Sequence, residues 1–396
     1  MKKDSFILIL LAFINFVNIV DVMIIMPLGD ILMKEFNINP TQFSWAVSAY
    51  TTSAGITGFI GAFFIDRFDR KSAMIFSLIG FSLGTFACAY ANSYMLLLVA
   101  RAFTGIFGGL IGSLVLAIVS EVFQMERRGK AMGAIMAAFS IASVVGVPFS
   151  LFLTSKINWQ APFILLSVMG VLAIILCLRL PNFKAHVMSK EERPSPFNIL
   201  SIIWNDKNQR LALLMGMFLV LGHFSTMPFL VPYMIRNVGF DQDQITWIYM
   251  LGGGFTAFTA PVIGRLTDRF KPLKTFRILM LVSFAVTMIV TTLQGVGIGM
   301  ALAINTLFFI FASGRMIPAQ TIITGAVGSA GRGSFMSIKS ALQQLSAALA
   351  AVISGLIVVE QENGVLGNYW MVGVFAVIIS ALSLFIAPKL KVAEGN

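Results

Sequence analysis

Charge is scarce in this chain. Only 11% of its 396 residues are Asp, Glu, Lys or Arg, against about 25% in an ordinary globular domain. Apolar residues make up 58%, and the mean hydropathy is +0.89. A water-soluble chain of this make-up would leave large apolar patches exposed and would aggregate. A cytosolic enzyme, a secreted scaffold and a disordered chain are therefore excluded. A polytopic membrane protein remains.

Cysteine and histidine are scarcer still, with two of each. Cys88 and Cys177 both stand in apolar runs, so no disulfide framework is expected. Two His without a loop Cys supply no metal cluster. H-E-x-x-H and the phosphate-cradling G-x-x-x-x-G-K-[ST] are missing, so no zinc protease site and no ATP drive from this polypeptide are expected. The net charge of +11 raises the question of nucleic acid. The basic residues, however, lie in loops between apolar runs, so the expected partners are a lipid bilayer and a small-molecule substrate, with no nucleic acid.

What the chain does have is long apolar runs. They lie at about 6–28, 45–65, 72–91, 95–120, 131–154, 161–180, 211–235, 244–264, 275–293, 297–323, 335–358 and 368–387. A helix needs about 20 such residues to cross the hydrocarbon core. The first run follows Lys2 and Lys3 like a signal peptide. It is too long for one, carries Asp21 and leads into no small-residue cleavage site, so it reads as a span.

The basic residues orient the spans. With the N-terminus inside, 23 of the 28 Lys and Arg fall in inner segments, Arg332 and Lys339 among them. Lys34, Lys156 and Arg236 fall outside, and Arg101 and Arg315 lie within spans. Both termini are expected in the cytoplasm. A polar loop at 182–210 divides the chain into halves of six runs each, 1–181 and 211–396. Asp66-Arg67-Phe68, after the second run, returns as Asp268-Arg269-Phe270 after the eighth. Such an internal repeat marks a transporter with its substrate site at the repeat interface near the midplane.

These features resemble the major facilitator superfamily over the whole chain. Its loop motif G-x-x-x-D-R/K-x-G-R-R/K stands here as Ala62-Phe63-Phe64-Ile65-Asp66-Arg67-Phe68-Asp69-Arg70-Lys71, with both glycines replaced. The second copy keeps Gly264 ahead of Asp268 and Arg269. Arg101-Ala102-Phe103-Thr104-Gly105-Ile106-Phe107-Gly108-Gly109 is similar to the fourth helix of the drug-efflux branch. Of the Gly- and Pro-rich antiporter motif, Gly146-Val147-Pro148 survives. Asp21, His223 and the stretch Asn158-Trp159-Gln160-Ala161-Pro162-Phe163 resemble the twelve-helix drug:proton antiporter and sugar-efflux branch.

The resemblance implies an all-α integral membrane fold of twelve transmembrane helices in two pseudo-symmetric six-helix bundles. It implies a monomeric secondary transporter of the bacterial inner (plasma) membrane that takes no cofactor and draws on the proton gradient. It also implies proton-coupled efflux of a small amphipathic molecule, drug-like or sugar, by alternating access. An uptake symporter for a sugar or metabolite is the alternative within this fold. An integral-membrane enzyme, the distant alternative, would need acids or His clustered at one membrane face, and Asp66 and Asp268 instead lie in separate repeats among cations.

Three residues are candidates for proton coupling. Asp21 is an acid inside an apolar run, at a cost of about 2.5–3.5 kcal/mol on insertion scales. Such acids are tolerated when paired, hydrated or protonated. Arg101 lies at a similar depth, about 10 Å below the outer surface at 1.5 Å per residue, and either couples to Asp21 or snorkels outward. His223 either relays protons or is a hydrogen-bonded core residue. Asp66, Arg67, Arg70, Lys71, Asp268 and Arg269 are read as a cytoplasmic gate, with topology alone as the plainer reading. Asn15, Asn18, His223, Thr226, Tyr233, Asn305, Arg315, Gln343 and Gln344 are candidates to line the substrate cavity. Gly105, Gly108, Gly109, Gly112, Gly146 and Pro148 read as helix-packing positions.

Overall fold

In a bilayer the backbone has no water to bond, so apolar runs must satisfy their own N–H and C=O groups as helices. The computed structural model describes residues 2–64, 68–123, 125–181, 183, 201, 203–328 and 332–393. Each apolar run lies on one helix or on two consecutive ones. In the first half these are α1 (Lys2–Ile24), the short α2 (Gly29–Glu35), α3 (Pro40–Phe64), α4 (Arg70–Ala89), α5 (Tyr94–Val122), α6 (Met125–Ile141), α7 (Val147–Lys156) and α8 (Ala161–Cys177). In the second half they are α9 (Lys207–Tyr233), α10 (Gln242–Phe270), α11 (Pro272–Thr291), α12 (Ile298–Gly314), α13 (Met316–Gly325), α14 (Arg332–Ile357) and α15 (Tyr369–Ile386). Among the described residues, nine helical segments are long and apolar enough to cross a membrane. Two-residue strands β1 (Val359–Glu360) and β2 (Leu366–Gly367) pair antiparallel ahead of α15.

Polar residues sit where helices begin. Asp69 accepts from the Lys71 backbone, Ser93 from Leu96, and Asp206 from Asn208 and Gln209. Asp241 and Gln244 form a capping box. These side chains satisfy backbone donors that have no partner within the helix. Proline opens two of the helices internally. Pro148 follows a π-turn at Ala142–Gly146, and Pro228 and Pro232 precede another at Met234–Val238. A missing N–H breaks the i→i−4 ladder there, and a wider turn absorbs the break.

The chain folds as two compact units, Met1–Ile25 with Ala49–Pro196, and Met26–Ser48 with Phe197–Asn396. In the first unit, α4 packs on α5 and α8, and α1 on α6. In the second, α9 packs on α14 and α15, and α12 on α10 and α11. Lipid offers no hydrophobic drive for helix association, so close van der Waals fit at small residues takes its place. A Cβ on Gly170 would lie 2.2 Å from Ser82 Oγ, and one on Gly222 would lie 2.1 Å from Ser380 Oγ. Large apolar side chains such as Ile9, Phe258 and Phe385 point outward, as a lipid-facing surface requires.

Candidate functional site

The first unit buries a complete ion pair. Asp21, in the last turn of α1, meets Arg101, in the second turn of α5. Arg101 Nη1 donates to Asp21 Oδ2 at 2.8 Å, and Nη2 donates to the Asp21 carbonyl at 3.3 Å. Both side chains are 0% exposed. Thr85 on α4 donates to the other carboxylate oxygen at 3.2 Å. The Tyr50 ring lies 4.6 Å from the guanidinium carbon, a distance for a cation–π contact. The Tyr50 hydroxyl donates to Asn18 Oδ1 at 2.7 Å, and Asn18 Nδ2 donates to the Gly108 carbonyl at 3.3 Å. Four helices thus converge on one buried ion pair. A carboxylate held this way loses its hold on the arginine when it is protonated, so one proton can reset contacts between α1 and α5.

Glycine makes the convergence possible. A Cβ on Gly105 would sit 2.3 Å from the Tyr50 carbonyl oxygen, one on Gly108 would sit 1.9 Å from the Tyr50 hydroxyl, and one on Gly109 would sit 2.3 Å from the Ala54 carbonyl. At Gly112 there is nothing within 4 Å. A Cβ on Gly146, just before Pro148, would sit 2.4 Å from Val20 on α1.

At the start of α4 the side chains hold backbone ends. Arg70 pairs with Glu121 at 2.8 Å and donates to the Ala117 carbonyl at 2.6 Å. Lys71 Nζ donates to the Leu178 and Leu180 carbonyls at 2.9 and 2.7 Å, at the end of α8. Asp69, where the family motif has glycine, caps α4 and accepts from the Phe183 N–H at 2.8 Å. Asp66 and Arg67 lie outside the described residues. Asp268 and Arg269 are exposed at the end of α10, with the Arg269 guanidinium 5.3 Å from the Phe270 ring.

In the second unit, His223 on α9 stacks on Phe308 of α12, with centroids 6.5 Å apart and ring planes 12° apart. Its Nδ1 has no partner among the described residues. Thr226 donates to the His223 carbonyl at 3.0 Å, and Ser225 to the Gly222 carbonyl at 3.0 Å. The Tyr369 hydroxyl donates to the Thr226 carbonyl at 2.7 Å, and the Tyr369 ring packs on Tyr233. Asn305 donates to the Ala301 carbonyl at 2.8 Å. In the first unit, Asn15 donates to the Ile135 carbonyl at 3.1 Å. Arg315 is buried against Ser283. Gln343 and Gln344 are half-buried on α14.

Sequence reasoning passed over several polar residues. Asp30 takes a 2.5 Å ion pair from Arg236 and a 2.8 Å one from Lys34, and Arg236 reaches Glu360 of β1 at 2.7 Å. Arg236, read from the sequence as a loop charge, is thus a buried link within the second unit. Lys339, assigned to an inner segment for the topology, is only 5% exposed on α14. The available signal was its position, four residues inside the eleventh apolar run. The stretch Gly80-Phe81-Ser82-Leu83-Gly84 spells the G-x-S-x-G of a nucleophile elbow. That device needs a strand-to-helix turn, whereas here the stretch is mid-helix, with Ser82 against Gly170. No group of three His, Cys, Asp or Glu among the described residues could hold a metal ion.

Comparison with known proteins supplies a context for these sites. A family model described as Major Facilitator Superfamily matches residues 11–229 and again 212–395. The uncharacterized MFS-type transporter YceJ of Bacillus subtilis is 23% identical over 347 residues, covering 87% of each chain. Multidrug resistance protein 1 of the same organism is 25% identical over 178 residues, 45% of this chain and 46% of that one. Among solved structures, the inward-open xylose transporter XylE of E. coli superposes with a TM-score of 0.72 at 17% identity, covering 98% of this chain and 97% of the other.

Proposed function

The chain belongs to the major facilitator superfamily, and from that premise we propose that it exports a small amphipathic molecule in exchange for protons. It is a multi-pass membrane transporter and not an enzyme. The two sequence repeats, 1–181 and 211–396, undergo alternating access, with both termini in the cytoplasm of a bacterial cell and the chain in its inner membrane. The observation that carries the proton coupling is the dry Asp21–Arg101 pair. An intramembrane acid is functional by default, and this one is tied to a cation whose release it controls. Substrate and proton then compete for one interaction. The multidrug resistance protein among the relatives supports efflux of drug-like solutes. Arg70 and Lys71, with Asp66, Arg67, Asp268 and Arg269, serve as the cytoplasmic gate.

The test uses purified protein in liposomes with an imposed pH gradient and a solute panel. Parent protein is expected to dissipate the gradient when a substrate is added. Asp21→Asn is expected to abolish that solute-driven proton flux, while Asp21→Glu keeps part of it. An Asp21→Asn variant with unchanged proton flux defeats the proton-coupling assignment.

A further inference from the structure

The second unit buries two cations for which its described residues provide no carboxylate. Arg315, 3% exposed, stands at the break between α12 and α13. Its Nη1 donates to Ser283 Oγ at 2.9 Å and lies 3.6 Å from the Met280 sulfur, and its Nε has no partner among the described residues. Lys339, 5% exposed, gives its Nζ to a neutral acceptor, Gln320 Oε1. The other buried cations behave differently. Arg101 has Asp21, Arg70 has Glu121, and Arg236 has Asp30 and Glu360. Acids of the second unit are present, but elsewhere. Asp206, Asp241 and Asp243 stand at helix starts, and Asp268 is exposed at the end of α10.

An unpaired charge inside a membrane protein is costly and persists where it faces a cavity or a ligand. Beside Lys339 stand a second amide, that of Gln343, and a residue without a side chain, Gly216. A Cβ on Gly216 would lie 3.5 Å from Ile323, 3.7 Å from the Gln343 amide nitrogen and 4.0 Å from Lys339 Cε. Gly216 therefore leaves a methyl-sized space in van der Waals reach of the Lys339 stem, an amide donor and an apolar side chain. An ammonium has three donors and no acceptor, and one neutral oxygen leaves its charge unmatched. An anionic oxygen supplies what is missing through a charge-assisted hydrogen bond.

We propose that the transported solute is an organic anion whose carboxylate, sulfonate or phosphate group binds Lys339, with Gln343 as the neighbouring donor. Arg315 adds a second positive charge to the interior of the same unit. This rests on the reading of the chain as an exporter and narrows its substrate class. Amphipathic cations are then poor substrates, because they meet like charge in a low-dielectric setting.

The experiment uses full-length protein in liposomes and a panel of matched aromatic solutes, naphthalene-2-sulfonate, 2-naphthoate, their neutral sulfonamide and amide, and a naphthyl ammonium. Uptake into inverted vesicles under a pH gradient is expected to favour an anion at least tenfold over its neutral partner. Lys339→Gln is expected to remove that preference, and Lys339→Arg to retain it, with thermal unfolding showing that both variants are folded. Transport of neutral or cationic members without the anions overturns the anion assignment and leaves the exporter reading standing. So does a preference that survives Lys339→Gln. Movement of no member, with no solute-driven proton flux, overturns both.

Discussion

A carboxylate and a guanidinium shielded from water stabilise each other only as a pair. Removing one partner of a buried pair costs about 3–5 kcal/mol, because the other is left uncompensated, while removing both is far cheaper. Arg101→Gln alone is therefore expected to lower the unfolding temperature more than the double variant Asp21→Asn/Arg101→Gln does. Thermal unfolding in detergent checks this, and additive losses would show that the two sites are uncoupled. Asp21 and Arg101 were legible in the sequence because charges are rare in apolar runs and a depth count puts both at one level. Tyr50 and Thr85, which complete the site, were not. Hydroxyl residues are frequent in these helices, and only packing shows which of them face a carboxylate. The burial of Lys339 was not legible for a related reason, since a cation near the end of a run counts equally well as loop or span until its neighbours are known.

Along a helix, spacing states that residues share a face but not what that face meets. Gly105, Gly108, Gly109 and Gly112 read alike in the sequence, yet they split on α5. Gly108→Ala is expected to push on the Tyr50 hydroxyl, whose contact would be 1.9 Å, and to cost about 1–3 kcal/mol by overpacking. Gly112→Ala meets open space and is expected to be neutral or to stabilise by up to about 1 kcal/mol through helix propensity. Unfolding temperatures of the two variants against the parent test the contrast. Equal effects would mean that α5 does not approach α3 as closely as described. The apolar runs themselves were legible as helices, because a bilayer permits no other state for such a segment. The two π-turns were only half legible. Pro148, Pro228 and Pro232 announce a broken ladder, but whether it kinks, ends or widens depends on neighbouring helices.

At the scale of the whole molecule, the contacts that tie distant segments together carry no local signature. Asp30 and Arg236 are 206 residues apart, and neither stands in a motif. Asp30→Ala is expected to cost about 1.5–3 kcal/mol, the worth of a hydrogen bond to a charged group, because Glu360 still compensates Arg236. Lys34→Ala, at a side chain 66% exposed, is expected to stay within about 0.5 kcal/mol. Thermal unfolding separates the two outcomes, and a silent Asp30→Ala would remove the pair from the account of this unit's stability. Composition and run length by themselves determined that this is a helical membrane protein, because insertion into a bilayer acts on each segment separately and is decided by its own residues. Which charges are matched was decided only by the tertiary structure, since a salt bridge depends on positions in space that chain distance does not encode. That is why Asp21 and Arg101 could be suspected from the sequence, whereas Arg315 and Lys339, which meet no carboxylate among the described residues, emerged only from the packing.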